Sequence, residues 1–443
     1  MLIRSVKSVL LAALLLGLSG CVVPTLILPS SGFTGIAVTN GRYSFSSAAY
    51  MPGPEELIDY RFRSVGVDYV GIVDTDEQNQ CTWMPCGGVW PSTWEENPEI
   101  AEVIVDRWGC TAEDIDEFYR DTLDKLHQDL HFNTLGMWGR RKVKNPGFPG
   151  YGNCSVDGQN RMYYLLELNF PDPANFNPQS ASAYLEETII PQFGNDPCLI
   201  GYIPWNEINF NDYSRSEIEE YANQVYDVIY EAEEAAGVGH HLIFSGAIGT
   251  PRTLEAYQGP WTQICTPDPA SDNNRIAPLA IFNAIAVNMY IDGASLGLAE
   301  WQYSDQWDYN GNKSILECIH NSTGKPILIT ETGIGARDSG IVPDPYWEPN
   351  YVETQEERGA AYARALQQFG EKPYILGVHW YMLFDGYKQC NGEQWVDYQR
   401  NCGIFQNLFS LGEGYFTPYL GLTQSIAVAN KRFIHSWLPV HEP

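Results

Sequence analysis

Hydrophobic positions along this chain follow two alternating periods. Short runs of apolar and β-branched residues read as buried strands at Val67–Asp74, Phe132–Trp138, Met162–Asn169, Leu199–Ile203, His241–Ala247, Ile285–Ile291, Lys325–Thr332 and Tyr374–Asp385. Between them the spacing turns helical. Asp114–Leu130 places Ile115, Phe118, Leu123, Leu126 and Leu130 near one face, and Ser214 with Glu217 has the spacing of a capping box. That box opens a helix with Ile218, Tyr221, Val225, Ile229 and Ala232 on one side, and Pro418–Trp437 reads as a closing helix. Strands separated by helices predict an α/β fold, a (β/α)8 TIM barrel forming a single domain over residues 33–443. A doubly wound open sheet is the alternative, although no Gly-rich phosphate loop follows the first strand. In a barrel the chemistry sits at the C-terminal ends of the strands. The polar and aromatic residues at those ends are Asn133, Trp138, Asn206, Glu207, Tyr290, Glu331, His379, Trp380 and Asp385.

Composition narrows the class of partner. The chain has 443 residues, 44% hydrophobic and 18% charged, as expected of a folded globular protein. Its net charge of −29 argues against nucleic acid, which is bound mainly through Lys and Arg on phosphate. The same charge disfavours a strongly anionic polymer and suits a neutral ligand. The 13 Trp and 27 Tyr either fill core and surface or provide stacking platforms for sugar rings.

Residues 1–20 carry Arg4 and Lys7 ahead of the apolar run Val9–Leu18, the pattern of a signal peptide. The run ends in Leu18-Ser19-Gly20-Cys21, which resembles a bacterial lipobox. That resemblance implies lipidation at Cys21, a tether over residues 21–32, and a protein anchored to a membrane, expected to be the outer one, without spanning it. An ordinary cleaved signal with an incidental cysteine is the alternative. The later cysteines can form disulfides in an exported protein. Cys81 with Cys86, and Cys390 with Cys402, are close enough in sequence to bridge within loops. No metal or cofactor is implied: Cys81 and Cys86 lack zinc-type partner spacing, and adjacent His240 and His241 should face opposite sides of a strand.

The chemistry rests on two stretches. LIGYIPWNEINF (199–210) is a short strand that ends at Trp205-Asn206-Glu207, and PILITETG (326–333) delivers Glu331 in the same way. Carboxylates on separate strand ends provide what glycosidic hydrolysis needs, one acid and one nucleophile or base.

Glu207 after the fourth strand and Glu331 after the seventh, 124 residues apart, resemble the acid/base and nucleophile of the large clan of retaining glycoside hydrolases with a (β/α)8 barrel. HFNTLGMWG (131–139), CLIGYIPWNEINF (198–210), KPILITETGIGARDSG (325–340) and GVHWYMLFDGY (377–387) resemble its β-agarase and β-galactosidase branch. Asn401-Cys402-Gly403-Ile404 with Thr417-Pro418-Tyr419 resembles the end of that branch. Trp205 stands where agarases usually have Asp before Asn-Glu. The resemblance implies cleavage of β-linked, galactose-containing glycans, with other neutral β-glycans or non-catalytic glycan binding as alternatives. It implies that Glu207 is a general acid of raised pKa and that Glu331 is an ionised nucleophile about 5–5.5 Å away. It further assigns Asn206 to the sugar 2-hydroxyl, Tyr290 to the nucleophile and Trp380 to the floor under the sugar. His379, Asp385, Asn133 and Trp138 are then candidate sugar contacts.

Overall fold

The computed structural model describes residues 33–50, 57–68, 73–75, 81–83, 122–138, 162–196, 198–250, 271–293, 297–298, 314–339, 350–383, 386–388, 398–406, 418–434 and 436. Cys21 and Asp385 lie outside them, as do the side chains of Cys81, Cys86 and Cys390.

The chain opens with an antiparallel sheet that the strand pattern above did not anticipate. Phe33–Thr39 (β1), Arg42–Tyr50 (β2) and Leu57–Phe62 (β3) pair in sequence order. The β1–β2 turn is Asn40-Gly41, with φ of 52° and 74°. Asn-Gly is the dipeptide that accepts positive φ at both central positions of a type I′ hairpin. Phe45 and Phe62 are buried, and Phe62 stacks on Tyr163 with centroids 4.7 Å apart. Tyr43 N–H donates to Pro373 O at 2.8 Å, so this sheet docks beside the start of a strand of the main sheet.

The main sheet consists of Ser64–Val67 (β4), Thr134–Leu135 (β5), Tyr163–Glu167 (β6), Leu199–Ile203 (β7), Leu242–Ile243 (β8), Ile248–Gly249 (β9), Ile285–Asn288 (β10), Ile327–Thr332 (β11) and Ile375–Trp380 (β12). Its order is β8-β7-β6-β5-β4-β12-β11-β10-β9, and every pairing is parallel. These strands are apolar on both faces, as expected of a parallel sheet buried on both sides. The first strand lies earlier than the hydrophobic run suggested, ending at Val67 where that run began.

The longer described helices are Pro178–Tyr184 (α1), Arg215–Ala236 (α2), Ile315–Thr323 (α3), Gln355–Glu371 (α4) and Leu420–Ile434 (α5). The capping box at Ser214 forms as its spacing predicts, and Gly237 ends α2 in the left-handed region. Ile218, Tyr221, Val225, Ile229 and Ala232 are all buried. The described part of the connection between β9 and β10 holds only a 3-10 turn, Ala277–Ile281.

The expected single (β/α)8 barrel is therefore corrected. The parallel sheet has nine strands, helices intervene irregularly, and a separate antiparallel sheet precedes it. The extra strand arises where His241–Ala247 was expected to run unbroken. There Ser245 Oγ accepts the Ala286 N–H at 3.0 Å, in place of a main-chain carbonyl. Gly246 next to it clears the Trp205 ring, since a Cβ there would stand 2.0 Å from the indole. Isolated parallel bridges, Asn206 to Ala247 and Phe244 to Ala284, flank the interruption.

Cys198 and Cys318 are disulfide-bonded, and the expected bridge from Cys390 to Cys402 involves a residue outside the described ones. Among the described residues no helix is long and apolar enough to cross a membrane.

Candidate active site

The ends of four strands, β5, β7, β10 and β11, contribute to the surroundings of Glu331. This residue lies on β11 and is 5% exposed. Trp138, just past β5, donates its indole N–H to Glu331 Oε1 at 2.8 Å. Tyr290, just past β10, donates its hydroxyl to Glu331 Oε2 at 2.5 Å. Each carboxylate oxygen thus has a donor from a different strand, which fixes the plane of the group.

Asn206 and Glu207 follow β7. Asn288 is the residue that joins them to Glu331. Its backbone is in register with Glu331 across β10 and β11. Its Nδ2 donates to Asn206 Oδ1 and to Glu207 Oε1, both at 3.0 Å. Thr330 Oγ1 donates to Asn288 Oδ1 at 2.8 Å, which sets which end of the amide faces Glu207. Glu207 is exposed, and its φ of 49° lies in the left-handed region, which costs a non-glycine residue about 1–2 kcal/mol. Its N–H donates to Ala247 O at 2.9 Å, holding that conformation. Gly249 leaves room for its carboxyl, because a Cβ there would stand 3.1 Å from Glu207 Cδ.

Trp138, Asn206, Glu207, Tyr290 and Glu331 are thus drawn into one cluster. Three other expected residues are placed elsewhere. Asn133 precedes β5, where its amide joins main chains: Oδ1 accepts from Val65 N at 2.8 Å and Nδ2 donates to Arg63 O at 3.0 Å. Trp380 is fully buried on the helical side of β12. It packs edge-on against Tyr362 of α4 beneath the Arg358 guanidinium and donates to Cys402 O at 2.7 Å. It presents no open face for a sugar to stack on. His379 is fully buried inside the sheet, its ring over Gly66, where burial holds its imidazole down at about 3.

Sequence reading missed three residues here. Asn288 lay inside an apolar strand, where its polarity was itself the signal. Tyr381 follows Trp380 and packs edge-on to Tyr290 at 6.2 Å; the adjacent tryptophan drew attention from it. Asp68 follows β4 and is fully buried, and burial together with the Glu331 charge raises its carboxyl well above the ordinary range.

Far from this cluster, His240 and His241 approach one group instead of facing apart. His241 Nδ1 lies 2.6 Å and His240 Nδ1 3.5 Å from the buried Glu233 carboxylate of α2. Among the described residues no group of His, Cys, Asp and Glu is arranged to hold a metal ion.

No protein-family model matches the chain. No curated protein is similar in sequence. Solved structures are similar in fold. An exo-β-agarase superposes with a TM-score of 0.57 at 13% identity, covering 93% of this chain and 66% of that one. The agarase AgWH50C gives 0.58 at 14% identity, covering 93% and 64%. BpGH50 gives 0.56 at 13% identity, covering 92% and 83%. The chain thus spans about two thirds of the length of the two agarases. At these identities the likeness establishes a shared fold.

Proposed function

We propose that this chain hydrolyses β-glycosidic bonds in a neutral, galactose-containing glycan by a retaining double displacement. The observation that carries the reading is that two glutamates at strand ends are each held by hydrogen bonds from neighbouring strands. Glu331 is clamped by Trp138 and Tyr290, and Glu207 is held by Asn288 of the strand next to Glu331. In the first step a Glu331 oxygen bonds to the anomeric carbon while the glycosidic C–O bond breaks. Glu207 gives its proton to the leaving oxygen. In the second step Glu207 takes a proton from water, and that water displaces Glu331. Asn206, next to Glu207, would meet a sugar hydroxyl, and Tyr381, which packs edge-on to Tyr290, adds a third aromatic ring beside Trp138 and Tyr290. The agarose-type substrate is supported by the fold shared with agarases and by the strand-end motifs.

A panel of agarose, galactan, mannan, β-glucan and aryl β-galactosides tests the substrate. Agarose or galactan cleavage is expected. Clearing of mannan or glucan would move the assignment within the clan, and binding without reducing-end release would make the protein a glycan-binding module. With a cleaved substrate, Glu331→Ala is expected to abolish turnover. Glu207→Ala should slow poor leaving groups far more than activated aryl ones, because only the former need protonation. Wild-type product appearing first as the inverted anomer in NMR would overturn the retaining step. The lipobox adds a location, membrane attachment through Cys21, which Cys21→Ser should abolish in a fractionation assay.

A further inference from the structure

Behind Glu331 lies a second, fully buried layer that the reaction above does not use. Asp68 is 0% exposed. Its Oδ1 accepts the backbone N–H of Trp138 at 3.4 Å, and it is the indole of that same residue that holds Glu331 Oε1 at 2.8 Å. Among the described residues Asp68 Oδ2 has no hydrogen-bond partner. Gly136, two residues before Trp138, makes space for this carboxyl: a Cβ there would stand 1.9 Å from Asp68 Oδ1 and 3.2 Å from His379 Nδ1.

His379 completes the layer. Ser64 Oγ donates to Thr134 Oγ1 at 2.7 Å, and Thr134 Oγ1 donates to Asn133 Oδ1 at 2.9 Å. The Ser64 proton is therefore committed, and Ser64 must accept from His379 Nε2, 2.8 Å away. That leaves Nδ1 as a lone pair, buried and without a partner among the described residues, on the side of Gly136 and Asp68.

We propose that Asp68 is a positioning residue for this site: as a neutral acid it anchors the Trp138 turn, so that the indole N–H stays aimed at Glu331. An ionised carboxylate at this place would face the Glu331 and Glu167 charges from two strands inside a buried layer, and its repulsion would act on the group it is meant to steady. A neutral acid keeps the acceptor for the Trp138 N–H without that penalty. Burial and the Glu331 charge both push Asp68 towards the protonated form, in agreement with the geometry.

The proposal rests on the reading of Glu331 as nucleophile, so its test has one readout that needs no turnover. With 15N-labelled tryptophan, the indole resonance of Trp138 is identified by its loss in Trp138→Phe. Asp68→Asn keeps a neutral group with the same acceptor. It should leave that resonance in place and kcat within about threefold of wild type. Asp68→Ala and Gly136→Ala, which remove or displace the acceptor, should shift or broaden the resonance and lower kcat by roughly tenfold or more at nearly constant KM. An unmoved resonance in both of the latter variants would overturn the proposal, and so would an Asp68→Asn variant as damaged as Asp68→Ala. If Asp68→Ala does not fold, Gly136→Ala and Asp68→Asn still decide. A wild-type protein that cleaves no glycan would defeat the functional reading alone, since the resonances report the anchor independently.

Discussion

Each glutamate of the cluster is held by neighbours that differ in kind, so removing those neighbours should have different kinetic signatures. Tyr290 gives Glu331 one hydrogen bond at 2.5 Å, and Trp138 gives it the other. Tyr290→Phe removes the first without changing the packing against Tyr381. It is expected to lower kcat by roughly 10–100-fold with the fold intact, because the nucleophile loses half of its orientation. Asn288→Ala instead releases Glu207 and Asn206 together. Its defect should grow as the leaving group becomes poorer, following the Glu207→Ala pattern in weaker form. Equal rates for wild type and Tyr290→Phe, measured on the cleaved substrate, would remove that tyrosine from the mechanism.

At the scale of elements, the helices are specified locally. Ser214 accepts from Glu217 N at 3.3 Å, and Glu217 reaches back to Ser214 N at 2.7 Å. Two donors at the start of α2 are satisfied in this way, and the helix buries one face over 22 residues. Ser214→Ala should cost about 1 kcal/mol of stability in urea denaturation and leave kcat unchanged. The strands are less autonomous. His241–Ala247 has the composition of one strand, yet Ser245 and the Trp205 ring over Gly246 divide it, through partners, Ala286 and Trp205, that lie outside the segment.

For the molecule as a whole, the buried layer behind the site links stability to pH with two opposing signs. His379 has its folded value lowered from 6.5 to about 3, so between those values the unfolded chain binds the extra proton and stability falls as pH falls. Asp68 has its value raised well above 3.8, so above that pH the folded chain holds the extra proton and stability falls as pH rises. In wild type the two slopes oppose each other above about pH 4, wherever the range in which folded Asp68 keeps its proton overlaps that of His379. Denaturation measured across that window should separate them. Asp68→Asn should make the protein lose stability on acidification, with a slope change approaching 1.4 kcal/mol per pH unit. His379→Gln should tilt the curve the other way. Parallel curves for all three proteins would show that neither group is held uncharged.

The amino-acid sequence by itself determined the periods of strand and helix, the capping box of α2, and the placing of two glutamates at strand ends. These depend on residues close together in the chain, where alternation, capping and turn chemistry act. The Asn40-Gly41 hairpin belongs with these, since its dipeptide carries the turn signal locally. Only the tertiary structure decided which side chains face the cluster. Trp380 and Tyr381 are adjacent, yet one is sealed under α4 while the other stands beside Tyr290. The polarity of Asn288 inside an apolar strand marked it locally, but what it reaches lies on a strand distant in sequence, and no local pattern could announce Asp68. The sheet's nine strands were settled likewise, where the Ser245 hydroxyl meets the Ala286 N–H and the Trp205 ring covers Gly246. Local sequence sets what each segment can form, whereas hydrogen bonds and packing between segments select the face, the register and the breaks.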